Sequence, residues 1–445
     1  MKSIKRDVTD IIDTEAKEFA IYSGAGRALP NMIDGFKPVH RFIVYRSLDL
    51  CKKSGQKTYH KLTSIAGSVS ELGYHHTEDA AQDAAALLAN TWSNNYPLLD
   101  GRGNFGSRII KAAGASRYIY ARISNNYFNV YKDDNICPPH EDIEHIPPKH
   151  FLPVIPTILL NGIRGVATGY ACIVLPYDFK SVVECTKLAL QGKLDREPEV
   201  RYPCFEGEVV YKGDKKYEIN GIYKFLSKTV MEITEIPVSW DRVKYLTKIL
   251  EPLRANGFIT YEDGCDKDGF NFKVKFRKEY ELPKDKEKLH DKIMKDFGLI
   301  EKVTQNLTVS DQNNCVKTYE SPSELIKDFV EYRIQFVQKR IDRKIDETEK
   351  KLRYAKAKID FINLVISGEI VISGKKRKEL LNLLNTYDNL KDYSETLISM
   401  NIYHMTSDET EKLSKNVKEV EKELKYWRTT TKEKEYCKDI DNLLS

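Results

Sequence analysis

The spacing of apolar residues predicts several helices in the N-terminal part of the chain. Residues 1–24 carry apolar positions at helical spacing among acids and bases, so we expect an amphipathic arm. A helix is predicted to open at Pro38, because proline is favoured in a first helical turn. Further helices are predicted over residues 60–74 and 78–93.

The helices from Pro38 and over residues 60–74 are separated by a Ser54–Gly55 break. Two helices joined by a short turn and followed by strands are typical of a winged helix, although two amphipathic helices alone indicate only a bundle fragment. The charge decides between these readings, because residues 27–61 hold eight Lys and Arg residues against two acids. This bias favours DNA as the partner, even though the net charge of the whole chain is only +5.

Alternating apolar and polar residues predict short strands from about residue 206 onward. A helix is predicted at residues 240–257, within this run of strands. Asp268 and Gly269 lie between two alternating runs and therefore predict a hairpin. We expect an α/β domain over residues 151–320.

Heptad-like apolar stripes predict two long helices in the C-terminal part. The first opens at a capping box over residues 321–324, with Pro322 in its first turn. The second opens at another capping box, residues 406–409. Residues 321–445 are therefore predicted to form an antiparallel coiled coil with a smaller helical region at its tip. The fold class expected overall is α+β multidomain, divided into residues 1–24, 25–150, 151–320 and 321–445.

The composition is that of a protein with several domains and a highly charged surface. The chain has 445 residues, of which 41% are hydrophobic and 31% charged. No apolar run approaches the roughly 20 residues that span a bilayer, and the N-terminus lacks a signal-peptide core. Eight cysteines are scattered singly, so we expect reduced thiols and a cytoplasmic location.

One segment holds four potential zinc ligands close together. They are Cys137, His140, His145 and His150. Their spacing matches no common zinc template, and the neighbouring prolines favour an extended backbone. We interpret the segment as a linker, with zinc as the alternative, and predict no metal site in the chain.

The segment from Asp100 to Arg122 combines glycines, cations and a candidate nucleophile, Tyr118. Its cations are Arg102, Arg108, Lys111, Arg117 and Arg122. Nearby positive charge lowers the pKa of a phenol and also binds phosphodiesters. The pattern favours a tyrosine that attacks a nucleic-acid backbone, with Tyr120 as the rival nucleophile and a core tyrosine as the ordinary alternative.

This segment is also similar to the active-site segment of a known family. GRGNFGS, followed by an Ala-rich turn into Arg-Tyr, resembles the type IIA DNA topoisomerases, the gyrase A and eukaryotic topoisomerase II family. Residues 26–45, 73–78 and 155–176 resemble, in the family's order, the first DNA-binding helix, the active-site histidine segment and the stretch that inserts an aliphatic side chain into DNA. The length of the chain is similar to that of a separately encoded topoisomerase subunit of T-even-type phages.

The resemblance implies roles for particular residues. Tyr118 would attack a DNA phosphate that Arg117 steadies. Arg41 and His76 would stabilise the charge that develops on phosphorus, with His75 as the competing histidine. Contacts to DNA are expected from Lys37, His40, Lys57, Lys61, Arg102, Arg108, Lys111 and Val166.

Two residues depart from the family pattern. Thr77 stands where the family usually has glycine, which places the position of His76 in question. Val166 stands where isoleucine is typical, and the missing methylene removes about 0.8 kcal/mol of burial from the inserted side chain.

The resemblance further implies a tower domain, a coiled coil that dimerises at its tip, and a homodimer acting on double-stranded DNA. The family uses Mg²⁺ and ATP, but the chain carries neither the family's metal-binding domain nor an ATP-binding motif. A large partner subunit is therefore expected to hold both. For a phage-encoded chain the expected location is the host cytoplasm. The alternative is a non-enzymatic, architectural DNA-binding dimer.

Overall fold

The computed structural model describes residues 6–400 and 407–444, and it divides into two compact units. Unit 1 comprises Met1–Arg333 with Asp439–Ser445, and unit 2 comprises Ile334–Lys438. The finer division at residues 24, 150 and 320 stays a prediction.

Unit 1 begins with a helical arm. Asp7 caps its first turn, since the Asp7 side chain accepts a hydrogen bond from the Thr9 N–H (2.9 Å). The arm consists of α1 (Val8–Ile11), a π-helical turn (Ile12–Ala16), α2 (Lys17–Ser23) and a second π-helical turn (Gly24–Ala28). The helix predicted for residues 1–24 therefore continues to Ala28.

A group of helices packed on a small sheet follows. Its elements are α3 (Pro38–Ser54), β1 (His60–Lys61), α4 (Leu62–Gly67), α5 (Glu78–Ala89), β2 (Leu99–Arg102) and β3 (Tyr120–Ile123). The strands pair antiparallel in the order β1-β3-β2, so Tyr120 lies opposite both Lys61 and Arg102. Phe42 of α3 and Ile65 of α4 are buried and belong to the core beneath these helices.

The helix predicted over residues 60–74 is wrong in its length. α4 ends at Gly67, and only a 3₁₀ turn (Ser70–Leu72) follows it. Gly73 adopts φ +100°, and a Cβ there would lie 2.3 Å from the backbone oxygen of Glu144. The chain needs glycine here because a distant segment approaches its backbone, which local helical spacing does not reveal.

The next part of unit 1 contains short helices and one hairpin. Its elements are α6 (Asn125–Val130), α7 (Ile158–Asn161), β4 (Ile163–Ala167), β5 (Tyr170–Val174) and α8 (Phe179–Leu190). β4 and β5 pair antiparallel and form the β4–β5 hairpin. Asp178 caps α8 by accepting a hydrogen bond from Ser181 N (3.1 Å).

The rest of unit 1 before residue 320 is built from sheets with helices. Its elements are β6 (Glu208–Gly213), β7 (Lys216–Asn220), β8 (Ile222–Ser227), β9 (Val230–Glu235), α9 (Arg242–Tyr245), α10 (Glu251–Ala255), β10 (Ile259–Asp263), β11 (Phe272–Phe276), α11 (Lys286–Asp296), β12 (Ile300–Thr304), β13 (Leu307–Ser310) and β14 (Val316–Tyr319). The strand orders are β10-β11-β9-β8, β12-β7-β6 and β13-β14. The predicted hairpin at Asp268–Gly269 is confirmed, because β10 pairs antiparallel with β11.

A long helix, α12 (Pro322–Ile366), starts at the proline that the sequence predicts. Ser321 Oγ accepts a hydrogen bond from Glu324 N (3.3 Å), as a helix cap does. Unit 2 also contains α13 (Arg377–Leu384), α14 (Ser394–Ile398), α15 (Ser407–Thr429) and most of α16 (Lys432–Asp441). The second predicted capping box begins at Thr406, which lies outside the described residues.

Two ion pairs give the direction in which α12 and α15 pack within unit 2. Glu349 pairs with Arg428 (2.7 Å), and Lys356 pairs with Glu421 (2.7 Å). Moving forward along α12 therefore means moving backward along α15, so the two helices are antiparallel. The predicted α+β class is confirmed by the elements of both units. Within the described residues, no helix has the length and apolarity needed to cross a bilayer.

Candidate active site

A buried ion pair organises residues 31–37, here called the Asp34 turn. Asp34 Oδ2 accepts a hydrogen bond from Arg41 Nε (2.8 Å), and its Oδ1 accepts one from Arg41 Nη2 (3.0 Å). The same carboxylate accepts backbone N–H groups of Phe36 (3.0 Å) and Phe151 (3.1 Å). Only 7% of the Arg41 side chain and none of the Asp34 side chain is exposed. The pair therefore fixes the start of α3 against the chain around residue 151.

Arg41, predicted to stabilise charge during the reaction, is thus bound to a carboxylate on two of its nitrogens. Its charge is balanced inside the protein rather than left free for a ligand. The sequence shows the arginine but does not show this pairing, because Asp34 becomes its partner only through the turn that precedes α3.

A cavity of about 710 Å³ lies beside α3, and Arg41 and His76 both line it. The structure therefore brings these two predicted site residues together. The other ionisable side chains with nitrogen on its wall are Arg27, Lys37, His75, His140, His145 and Lys149. Asp142 is the carboxylate among the lining residues. The lysines and arginines of this wall outnumber its one carboxylate, which favours an anionic ligand, and we call the space the cationic cavity.

Arg27 is a site residue that the sequence reasoning missed. Its side chain is exposed, it lines the cationic cavity, and its charge helps to lower the pKa of His76. Unlike the side chain of Arg41, its side chain makes no ion pair or hydrogen bond to another described residue. The available signal is its position in the resembling stretch of residues 26–45, where charge alone does not distinguish it from the other basic residues.

Three histidines that line the cationic cavity, His76, His140 and His145, have lowered pKa values and therefore favour the neutral state. Burial lowers the pKa of His76, and the charges of Arg27 and His75 lower it further. Burial and the neighbouring His140 lower the pKa of His145 to about 3, and these two rings stack with centroids 3.7 Å apart. A neutral imidazole can donate one hydrogen bond but adds no positive charge at neutral pH.

Two predicted DNA contacts near Arg41, His40 and Lys37, differ in their surroundings. His40 is buried (7% exposed), and burial lowers its pKa to about 3, so the prediction that it contacts DNA is wrong for this structure. Lys37 is partly buried, and its Nζ donates a hydrogen bond to Arg164 O (2.7 Å). Lys37 lines the cationic cavity, so its ammonium stands between that cavity and β4.

Residues 103–119, which connect β2 to β3, form the Tyr118 loop. Tyr118 is 70% exposed, and the guanidinium carbon of Arg117 lies 5.1 Å from the centroid of its ring. Tyr120, the rival nucleophile, is half-buried within β3. Neither Tyr118 nor Arg117 lines the cationic cavity of its own chain.

The predicted crowd of cations around Tyr118 is wrong for three of its members. Arg108 is 6% exposed, and its guanidinium pairs with Glu235 (3.2 Å) and with backbone oxygens of residues 236–240. Lys111 Nζ donates to Val238 O (2.8 Å), and burial lowers the pKa of Lys111 to about 8. Arg122 pairs with Asp100 (3.2 Å). Arg108 and Lys111 tie the middle of the loop to residues 235–240, and the buried Arg108 is not placed to contact DNA.

Other predicted DNA contacts are on the surface. Lys57, Lys61 and Arg102 are exposed, which leaves them available to a phosphate. Val166, on β4, is 84% exposed. An aliphatic side chain so fully in water is unusual for a strand residue, and it fits the predicted insertion into DNA.

The four potential zinc ligands serve different purposes. Cys137 Sγ donates to Asp133 O (3.7 Å), and His150 Nε2 shares a hydrogen bond with the Tyr332 hydroxyl (3.0 Å). His140 and His145 stack on each other, as described above. Among the described residues, no three His, Cys, Asp or Glu side chains are grouped so that they could hold a metal ion.

Comparison with known families and structures shows to which family the chain belongs. A sequence model of the family that comprises the A subunit of DNA gyrase/topoisomerase IV matches residues 27–443. A crystal structure of the Plasmodium falciparum topoisomerase II DNA-binding, cleavage and re-ligation domain superposes with a TM-score of 0.85 at 27% identity, covering 98% of this chain and 64% of that one.

Curated relatives give the same result at different lengths. The chain is 55% identical over 443 residues to the DNA topoisomerase medium subunit of Enterobacteria phage T4, with 100% of both chains covered. It is 30% identical over 388 residues to human DNA topoisomerase 2-beta, covering 83% of this chain but only 23% of that protein. The chain belongs to the type II DNA topoisomerases, in the family of the A subunit of DNA gyrase/topoisomerase IV.

Proposed function

We propose that this chain is the DNA breakage-reunion subunit of an ATP-dependent type II topoisomerase and that Tyr118 is its nucleophile. The observation that carries the proposal is the placement of Tyr118, which is 70% exposed with Arg117 against its ring. An exposed phenol beside an exposed guanidinium can meet a phosphate that arrives from solvent. Tyr120, held within β3, is less able to do so.

The proposed reaction is a transesterification. The Tyr118 oxygen forms a bond to a backbone phosphorus of DNA, and the bond from that phosphorus to the 3′ oxygen breaks. The phenol loses its proton, and the leaving 3′ oxygen gains one. A 5′ phosphotyrosyl link and a free 3′ hydroxyl result. One phosphodiester replaces another, so the same link can be attacked by the 3′ hydroxyl to reseal the strand.

The cationic cavity would act on the Tyr118 of a second copy of the chain. Tyr118 does not line the cavity of its own chain, whereas Arg27 and His76 face the same space there. Arg27 would hold the scissile phosphate by charge, and His76 would donate a hydrogen bond from a neutral ring. Arg41 would keep the wall in place through Asp34.

The partners are proposed on the same basis. Double-stranded DNA is the substrate, and a homodimer supplies two nucleophiles, one for each strand. The described residues of this chain do not fit a metal site, so Mg²⁺, which stabilises charge during phosphoryl transfer, would be held by a large partner subunit that also binds ATP. The site of action would be the host cytoplasm if the chain is phage-encoded.

The finer architecture is also part of the proposal. We interpret α3, α4, α5 and the β1–β3 sheet as a winged helix that carries the Tyr118 loop. The sheets from β6 to β12 would form a tower that supports bent DNA. The antiparallel helices of unit 2 would form a coiled coil, with α13 and α14 at a tip that dimerises.

A cleavage assay tests the nucleophile. The chain is mixed with its large partner subunit, Mg²⁺ and supercoiled plasmid, and the reaction is stopped with detergent. We expect a covalent 5′ adduct that Tyr118→Phe abolishes and Tyr120→Phe preserves. If the wild-type chain binds DNA but forms no adduct, the architectural alternative is correct instead.

Mixed dimers test the assignment of the cavity to a second copy. Tyr118→Phe and Arg27→Ala chains are each expected to be inactive as homodimers. A mixed dimer has one site with both Tyr118 and Arg27 intact if they come from different chains, so nicked DNA should reappear. If both residues act within one chain, every site in the mixture is defective and no nicking returns.

A further inference from the structure

The β4–β5 hairpin touches the turn that carries Arg27 through a contact that only glycine permits. A Cβ added to Gly165 would lie 2.2 Å from Ala28 O, far inside the van der Waals distance. One atom would be the new Cβ and the other is a backbone oxygen, so no flexible side chain could move to relieve the clash. Ala28 directly follows Arg27 in the π-helical turn, so β4 rests on the backbone of that turn.

Lys37 makes a second link between the same two regions. Its Nζ donates to Arg164 O (2.7 Å), the carbonyl just before Gly165. Lys37 is also the residue before α3 and lines the cationic cavity with Arg27 and His76. The backbone of β4 is thus tied at adjacent residues to the turn of Arg27 and to the wall of the cavity.

The opposite face of β4 carries Val166, the exposed side chain that is proposed to insert into DNA and is here called the wedge. Side chains alternate across a strand, so Val166 points away from the side on which Gly165 meets Ala28. Val166 is 84% exposed, whereas Gly165 is buried. One short strand therefore has a surface for DNA on one face and a rigid contact to the cationic cavity on the other.

We propose that Gly165 is a positioning residue that couples insertion of Val166 into DNA to the placement of Arg27 at the scissile phosphate. This inference rests on the proposed function. A base step that accepts Val166 pushes on β4, and the contact between Gly165 and Ala28 transmits that push to the turn of Arg27. Cleavage is then favoured on DNA that is already bent. Lys37 keeps β4 in register while this happens.

Gly165→Ala tests the coupling, because it forces β4 and the Arg27 turn apart while leaving Val166 and Arg27 themselves intact. Insertion is read from the fluorescence of 2-aminopurine placed at the insertion step, and cleavage from the covalent adduct at saturating DNA with Mg²⁺ and the partner subunit. We expect insertion to persist while the adduct falls roughly 10- to 100-fold, the range for a displaced catalytic group.

The matched control is Gly169→Ala, at the turn of the same hairpin. Gly169 has φ +80°, so alanine strains its backbone, but a Cβ there has nothing within 4 Å. We expect its adduct to stay within about twofold of wild type. Lys37→Met is a second variant in case Gly165→Ala folds poorly, since it removes the bond to Arg164 O without a clash and should also lower the adduct more than insertion.

Other results would overturn the coupling. It is wrong if Gly165→Ala leaves the adduct unchanged, or if insertion, adduct and melting temperature fall together, as expected for a purely structural glycine. Failure of the proposed function looks different, because the wild-type chain itself would then form no adduct, or Tyr118→Phe would still form one.

Discussion

The start of α3, which the Asp34 turn holds in place, and the Tyr118 loop both carry candidate catalytic residues, but they are built in opposite ways. Arg41 is held by a buried carboxylate, with 7% of its side chain exposed. Tyr118 is 70% exposed, and the guanidinium of the preceding residue, Arg117, lies over its ring. Under the proposed function, this difference would mean that the cationic wall is fixed before DNA binds, whereas the proposed nucleophile stays open to incoming DNA.

The largest expected effect is on stability, and it comes from the Asp34 turn. Asp34→Ala leaves Arg41 buried without its counter-charge, so the free energy of unfolding should fall by about 3–5 kcal/mol in urea denaturation. Tyr118→Phe removes an exposed hydroxyl and should change it by less than about 0.5 kcal/mol. Equal effects from the two substitutions would remove the contrast between the regions.

The next effect concerns the exposed guanidinium of the wall. Arg27→Ala should lower the rate of adduct formation by about 10²- to 10³-fold, as loss of a preorganised charge does, with little change in melting temperature. The initial cleavage rate at saturating DNA measures this. Arg196→Ala, an equally drastic change at an exposed arginine of unit 1, is the control and should cleave at the wild-type rate. A comparable loss in both variants would contradict the role of Arg27.

An intermediate effect is the pH dependence of stability, which should come from His40 at the start of α3 and not from the Tyr118 loop. Burial lowers the pKa of His40 to about 3 from an ordinary value of 6.5, so the unfolded chain binds this proton more readily than the folded chain. The contribution of His40 to stability is therefore present above pH 6.5 and is lost as the pH falls. Between pH 7 and pH 5 the loss should be about 2 kcal/mol.

Urea titrations at the two pH values measure this loss. His40→Gln should lose about 2 kcal/mol less than wild type between them, whereas Tyr118→Phe should follow the wild-type curve. An unchanged pH dependence in His40→Gln would show that the folded and unfolded chains bind the His40 proton equally well, which would contradict a lowered pKa.

The smallest expected effect is at Val166. Val166→Ile restores the methylene that the family usually has, worth about 0.8 kcal/mol on burial, so DNA that accepts the wedge should bind about fourfold more tightly. Fluorescence anisotropy with duplex DNA measures the affinity. Val166→Ala should weaken binding by the same mechanism. If the three variants bind equally, Val166 does not enter the duplex.

Helix starts were predictable because the residues that define them act locally. Pro38 opens α3 and Pro322 opens α12 as the sequence predicts, since proline is favoured in the first turn of a helix. The point at which the helical segment that starts with α4 stops, at Gly73, was not predictable. There the backbone meets Glu144, a residue far away in the sequence.

The sequence predicts which residues belong to the candidate site better than it predicts their partners and their exposure. Charge counting finds Arg108 but not its partner Glu235, which lies 127 positions away. The same counting gives Arg27 and Arg41 equal weight, although one is exposed and the other is buried against Asp34. A sequence states which residues carry charge, and only folding determines which of those charges are neutralised inside the protein.

The ion pairs of unit 2 restrict how the length of its two long helices can change. From Glu349 to Lys356 is seven residues forward on α12, and from Arg428 to Glu421 is seven residues backward on α15. Seven residues are close to two full helical turns, about 10.5 Å. An insertion or deletion in one helix therefore has to be matched by an equal one in the other. Natural variation in the lengths of α12 and α15 should therefore occur in steps of seven residues, matched in both helices.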